Sequence, residues 1–143
     1  MIFHNRKLYV NVSYYLDADP VRFISFISSA CYRSLGMENG KIPSSAITAS
    51  TYYSASYSPN LGRLNSPSAW AIANPASPPH WLQVDLGGIM AVKMVATQGM
   101  QFANERVTSY LISSSVDGIE WVNYMENNTV KVSLLLIFSL VAL

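Results

Sequence analysis

Leu82, Val84 and Leu86 alternate with Gln83 and Asp85 in the stretch Trp81-Leu82-Gln83-Val84-Asp85-Leu86-Gly87. Period-two alternation is the pattern of a strand with one face buried and the other wet. Gly87-Gly88 follows, and a second alternating run extends from Met90 to Thr97. The spacing predicts two strands paired across a tight glycine turn. Val107 to Ser114 alternates again, Asp117-Gly118 is a hairpin signal, and Trp121 to Tyr124 returns as the next strand. Near the start, Leu8, Val10, Val12, Tyr14 and Leu16 share one face of a predicted strand, Lys7 to Leu16, which ends at Asp17-Ala18-Asp19-Pro20. Ile47 to Ser50 is a further short strand. Short strands with turns at this spacing predict an all-β sandwich or barrel.

Other stretches read as loops or stay open. Thr51 to Pro59 is rich in Ser and Tyr, lacks a helical period and reads as an exposed loop. Pro67, Pro75, Pro78 and Pro79 exclude helix and central strand from Ser66 to Pro79. Trp70 within that stretch predicts an ordered loop, since a ring left in water forgoes about 1.5–3 kcal/mol of burial. Arg22 to Ala30 fits a strand or the hydrophobic region of a secretory signal. Val132 to Leu143 is almost wholly apolar but shorter than the roughly 20 residues that span a bilayer. It fits a buried strand, the start of a membrane helix, or sequence foreign to the domain.

Composition narrows the classes. The 143 residues suit one domain, and 50% hydrophobic with 12% charged residues is a core-forming balance rather than a disordered one. A net charge of +1, with no basic cluster, argues against a nucleic-acid partner. The histidines, His4 and His80, have no zinc-ligand pattern, nucleophile elbow or phosphate loop to work with, so no enzyme is expected. No calcium loop is spelled by Asp17, Asp19, Glu38 and Asp117, and no cofactor is expected. Asp85, mid-strand among apolar residues, reads as an acceptor for loop backbone groups. Trp81 and Trp121 read as core. Asn11-Val12-Ser13 and Asn127-Asn128-Thr129 are glycosylation sequons, giving Asn11 and Asn127 as candidate acceptors.

Taken in order, Cys31, Leu35 to Ile42, Ile47 to Ser50, Tyr57-Ser58-Pro59, Arg63-Leu64-Asn65, Trp70, Trp81 to Gly87, Thr97-Gln98-Gly99, Val107 to Tyr110, Ser115 to Gly118 and Trp121 resemble the discoidin domain, also called the coagulation factor 5/8 type C domain. The resemblance covers about residues 31–132. It implies a discoidin-type jelly-roll β-sandwich with ligand loops at one end. It further implies a non-catalytic extracellular or cell-surface module for adhesion and recognition. The family's ligands include cell-surface glycans, anionic phospholipid headgroups, collagen and other proteins.

Two departures from the family pattern shape the expectation. The family domain normally continues beyond the position of Val132 to a closing cysteine that pairs with the first. Cys31 is the only cysteine here, so the resemblance implies a bridge whose partner is absent from this chain. The sequence therefore predicts an incomplete sandwich: residues 1–30 an N-terminal extension of uncertain role, 31–132 the discoidin domain lacking its C-terminal strands, and 133–143 an apolar tail. The second departure concerns the loops Thr51 to Ser56 and Gly99 to Arg106. Their only large aromatics are Tyr52, Tyr53 and Phe102, which favours glycan or protein recognition over insertion into lipid.

The candidate ligand-binding residues are Tyr52, Tyr53, Asn60, Arg63, Gln101, Phe102 and Asn104. Aromatic faces stack on sugar rings while polar groups orient hydroxyls. Arg63 has an alternative role, bracing its loop by donating to backbone carbonyls. Trp70 reads as a packing anchor rather than a ligand platform. Three functions are compatible with this sequence. The first is a recognition module for a cell-surface glycan or extracellular protein. The second is a peripheral binder of anionic phospholipid. The third is a fragment of a larger discoidin-domain protein without a function of its own.

Overall fold

The structure is a computed structural model that describes residues 3–13, 34–92, 95–100, 106–107, 109–130, 132–134 and 140–142. The described residues are all-β, joined by turns and short 3-10 segments. The first strands are β1 (Phe3–Ser13), β2 (Ile47–Ala49), β3 (Trp81–Val92) and β4 (Val95–Thr97). The next are β5 (Ser109–Ser115), β6 (Val122–Asn123), β7 (Met125–Glu126) and β8 (Thr129–Val130). Two short strands close the order, β9 (Val132–Leu134) and β10 (Leu140–Ala142). The main sheet runs β2-β3-β1-β5-β6, with β9 also on β5, while β4 pairs with β10 and β7 with β8.

β1 lies inside the main sheet. Val10 pairs with Leu82 of β3 on one side and Ile112 of β5 on the other, both antiparallel. β3 and β5 therefore run parallel to each other, flanking β1. β2 is antiparallel to β3, with Ile47 opposite Val84 and Ala49 opposite Leu82. From these directions the exit of β2, the entry of β3 and the entry of β5 all fall at one end of the sheet. The segments that follow Ala49, precede Trp81 and precede Ser109 gather there.

The burial of β3 follows its alternation. Leu82, Val84 and Leu86 are buried, and Gln83 and Asp85 on the opposite face are half-buried. With Met37, Ile42, Ile47, Val92, Tyr110 and Ile112 they form the core cluster. Each fully buried aliphatic side chain contributes about 1.5–3 kcal/mol over leaving it in water. Trp81 and Trp121, expected in the core, are half-buried and outside it. Trp81 shares the face of Gln83 and Asp85, opposite Leu82, and Trp121 stands between exposed Glu120 and Val122 at the sheet margin.

The glycine pair does not make the predicted turn. β3 runs on through it to Val92. Asn5 pairs with Met90 and Lys7 with Asp85, so Leu86 to Ile89 bulge opposite the single residue Arg6. Gly87 sits at φ +76°, a left-handed conformation that glycine adopts without a steric penalty. A glycine pair suits a bulge as well as a hairpin, and here β1 supplies the pairing edge. Asp85 Oδ1 accepts the Gly87 amide at 2.9 Å, so this acid caps the bulge as a backbone acceptor.

The predicted return at Asp117-Gly118 is present, with Ser113 opposite Asn123 and Ser114 opposite Val122. The apolar end contributes strand pairing: Val132 lies opposite Leu111, and Val141 opposite Ala96. Cys31, Tyr14, Leu16 and the stretch Arg22 to Ala30 lie outside the described residues.

Candidate functional site

Two loops meet at the end of the sheet defined above. The first, after β2, carries Tyr52 and Tyr53. Two 3-10 turns, Ala55–Tyr57 and Pro59–Leu61, coil it back toward the core. The second is the proline-rich stretch leading into β3. The two are laced together along their length. Ser50 and Trp81 join their roots, the Ser50 amide donating to the Trp81 carbonyl at 3.0 Å and the Trp81 amide to Ser50 Oγ at 3.1 Å. Further out, the Tyr53 amide donates to Ala71 O at 2.8 Å and the Ala71 amide to Tyr57 O at 3.3 Å. Trp70 Nε1 donates to Thr51 O at 2.8 Å, and Ser68 Oγ to Ser56 O at 2.7 Å.

Trp70 is half-buried and packs against the core, the anchor role expected for it. His80, at the foot of the second loop, is buried with Nε2 3.1 Å from the Pro75 carbonyl. The proline-rich stretch is thereby pinned at both ends, by Trp70 and by His80.

On this laced platform Tyr52 and Tyr53 are 50% and 68% exposed, so both rings are available to a ligand. Tyr53 also meets the Tyr57 ring edge-on, with centroids 5.9 Å apart and planes at 75°. Such a contact holds one ring edge and leaves a face open. Asn60 is half-buried, its Oδ1 accepting from Ser58 Oγ at 2.9 Å.

Arg63 faces inward. Nη1 donates to Met37 O at 2.7 Å and Nη2 to Ile42 O at 2.8 Å. The planar fork reaches two carbonyls of one loop at once, the bracing alternative considered for it. Asn65, in the left-handed region at φ +55°, ties three segments together. Its amide donates to Gln98 Oε1 at 2.8 Å and its Nδ2 to Glu38 Oε1 at 2.6 Å. The bond to Gln98 holds the start of the loop that follows β4. Gln101, Phe102 and Asn104 on that loop lie outside the described residues.

Of the expected ligand residues, Tyr52 and Tyr53 are exposed neighbours on one loop, Asn60 is half-buried, and Arg63 braces the loop of Met37 and Ile42. The roles of Ser50, Glu38, Asn65 and Gln98 carry no sequence signal, because each bond joins positions far apart in the chain. A groove of about 580 Å³ runs along the flank of β2 and β3, lined in part by Lys41, Ile42, Gln83, Asp85 and Met90. Among the described residues, none of the expected ligand residues lines it. Among the described residues no group of His, Cys, Asp or Glu is placed to hold a metal ion. Among them too, no helix is long and apolar enough to cross a membrane.

Comparison with known proteins places this β-sandwich in a family. The F5/8 type C domain model matches residues 46–135, and the chain belongs to that family, the discoidin domains. It is 40% identical to rat (Rattus norvegicus) lactadherin over 113 residues, covering 71% of this chain and 26% of the relative. It is 38% identical to human coagulation factor VIII over 112 residues, covering 73% of this chain and 5% of the relative. With human neuropilin-1 the identity is 38% over 102 residues, covering 68% of this chain and 11% of the relative. The chain spans about a quarter of lactadherin and a smaller share of the other two relatives.

Proposed function

We propose that the chain is a non-catalytic extracellular recognition module that binds a cell-surface glycan or an extracellular protein through the loop end of its sandwich. The observation that carries this reading is the pair Tyr52 and Tyr53, exposed side by side on a loop hydrogen-bonded into its neighbour. Rings presented by a stiffened loop lose little conformational freedom on binding, so more of their contact energy appears as affinity. Membership of the discoidin family supports the same end of the fold as the ligand end. An alternative reading is peripheral binding to anionic phospholipid, with the same two rings entering the interfacial layer, where tyrosine sits well.

One experiment separates the readings. The full chain, with Tyr52→Ala/Tyr53→Ala as control, is tested on a glycan array, on immobilised collagen and cells, and by sedimentation with phosphatidylserine vesicles. Glycan, collagen or cell binding lost at least tenfold in the double variant supports recognition. Sedimentation that rises with phosphatidylserine and fails in the variant supports the membrane reading. Folded protein that binds none of these surfaces counts against both.

A further inference from the structure

The sequon Asn127-Asn128-Thr129 occupies a place in the fold that the loop-end function does not use. Met125 pairs with Val130 and Glu126 with Thr129, leaving Asn127 and Asn128 as a two-residue hairpin loop. Their φ values of +52° and +59° are those of a type I′ turn, which asparagine tolerates better than other residues with a Cβ. Residues 125–130 are all exposed. The hairpin joins β6 and β9, which share the edge of β5 opposite β1.

The second sequon is placed differently. Asn11 is paired with Trp81 on one side and Leu111 on the other, in the interior of the main sheet. An acceptor asparagine must be presented on an accessible, bendable segment. The hairpin tip meets this requirement in the folded protein, and a strand paired on both edges does not.

We infer that Asn127 is the acceptor of an N-linked oligosaccharide. The inference rests on the extracellular reading above, because it needs passage through the secretory pathway. The donor is a lipid-linked oligosaccharide diphosphate. The bond between the sugar C1 and the phosphate oxygen breaks, and a bond between C1 and Asn127 Nδ2 forms. The amide gives up one proton, and the lipid diphosphate leaves with the bonding electron pair. The glycan then stands over the hairpin, beside Met125 and Val130, apolar side chains that are 51% and 37% exposed. A hydrated oligosaccharide there shields an apolar strip that would otherwise favour association.

The test expresses the full chain behind a cleavable secretion leader in cells that glycosylate. The secreted protein is treated with peptide N-glycosidase in heavy-oxygen water, and the peptide containing residue 127 is read by mass spectrometry. Release converts an occupied asparagine to a heavy-labelled aspartate. The expected result is labelling of position 127 in more than half of the wild-type molecules and none in Thr129→Ala, which keeps the acceptor but breaks the sequon. Secreted wild-type protein with unlabelled Asn127 overturns the inference. The wild type is read directly, so a variant that fails to fold hides nothing. Occupancy is also scored without any ligand, so a glycosylated chain that binds nothing refutes the proposed function and leaves this site standing.

Discussion

Ser50 and Trp81 exchange two hydrogen bonds across the loop end of the sheet, amide to carbonyl at 3.0 Å and amide to hydroxyl at 3.1 Å. This clasp is the root from which both platform loops leave. Ser50→Ala keeps the first bond and removes the hydroxyl that accepts from the Trp81 amide. The expected loss is about 1 kcal/mol of stability, the net worth of such a bond. Chemical denaturation followed by tryptophan fluorescence measures it. An unchanged midpoint would show that water replaces the hydroxyl at no cost.

Arg63 should not tolerate lysine. The guanidinium reaches the Met37 and Ile42 carbonyls together, and a single ammonium cannot reproduce both directions. Arg63→Lys is expected to cost roughly 1.5–3 kcal/mol, the range for hydrogen bonds from a charged donor. If Arg63 served a ligand instead, the variant would keep its unfolding midpoint and lose only binding. Parallel denaturation and binding assays tell the two apart.

Asp117 makes stability depend on acid in a defined direction. Its Oδ1 accepts the Ile119 amide at 2.8 Å, the Glu120 amide at 3.1 Å and Ser115 Oγ at 3.0 Å. These donors, the Ile119 amide foremost, hold its carboxyl below the ordinary value of 3.8. A carboxyl lowered on folding contributes fully above its unfolded value and loses that contribution as pH falls through the folded one. The turn should therefore weaken only below about pH 3.8, and Asp117→Asn should flatten that acid limb. Urea midpoints across the acid range, wild type against variant, give the comparison. Parallel acid limbs would remove Asp117 as a cause.

Two glycines should differ in their response to a methyl group. At Gly87 an added Cβ meets nothing within 4 Å, so only the backbone conformation at φ +76° resists it. Gly87→Ala should cost roughly 1–2 kcal/mol. At Gly36, φ is +109° and the added Cβ would lie 2.5 Å from Lys41 Cβ. Gly36→Ala combines backbone strain with a clash, and the expected cost is roughly 3 kcal/mol. It also disturbs the loop that Arg63 braces, since the Ile42 amide donates to Gly36 O. Thermal shifts of the two variants, ranked against each other, check the prediction.

The sequence made the buried face of β3 legible because period-two alternation is a local property. Leu82, Val84 and Leu86 are buried, and the same alternation places Trp81 with Gln83 and Asp85, a consequence that the bulk of its ring obscured. The pairing partner of β3 was not legible. Gly87-Gly88 serves a bulge as well as a hairpin, and only the distant edge of β1 decides between them. In the candidate site, the exposure of Tyr52 and Tyr53 followed from a loop rich in serine and tyrosine. The bracing role of Arg63 was one of two readings that the side chain's chemistry permits. The bonds from Asn65 to Glu38 and Gln98 were not legible, because no local pattern marks a contact between separate loops.

The place of β1 has a consequence for how the molecule is made. Phe3–Ser13 leaves the ribosome before either of its neighbours exists. Its backbone finds no lasting partner until Trp81–Val92 and then Ser109–Ser115 have been synthesised. Closing such wide loops is entropically unfavourable, and folds built on distant pairings assemble slowly. The sheet therefore forms late and cooperatively, and a nascent chain halted before Ser115 would hold its central strand with one edge bare.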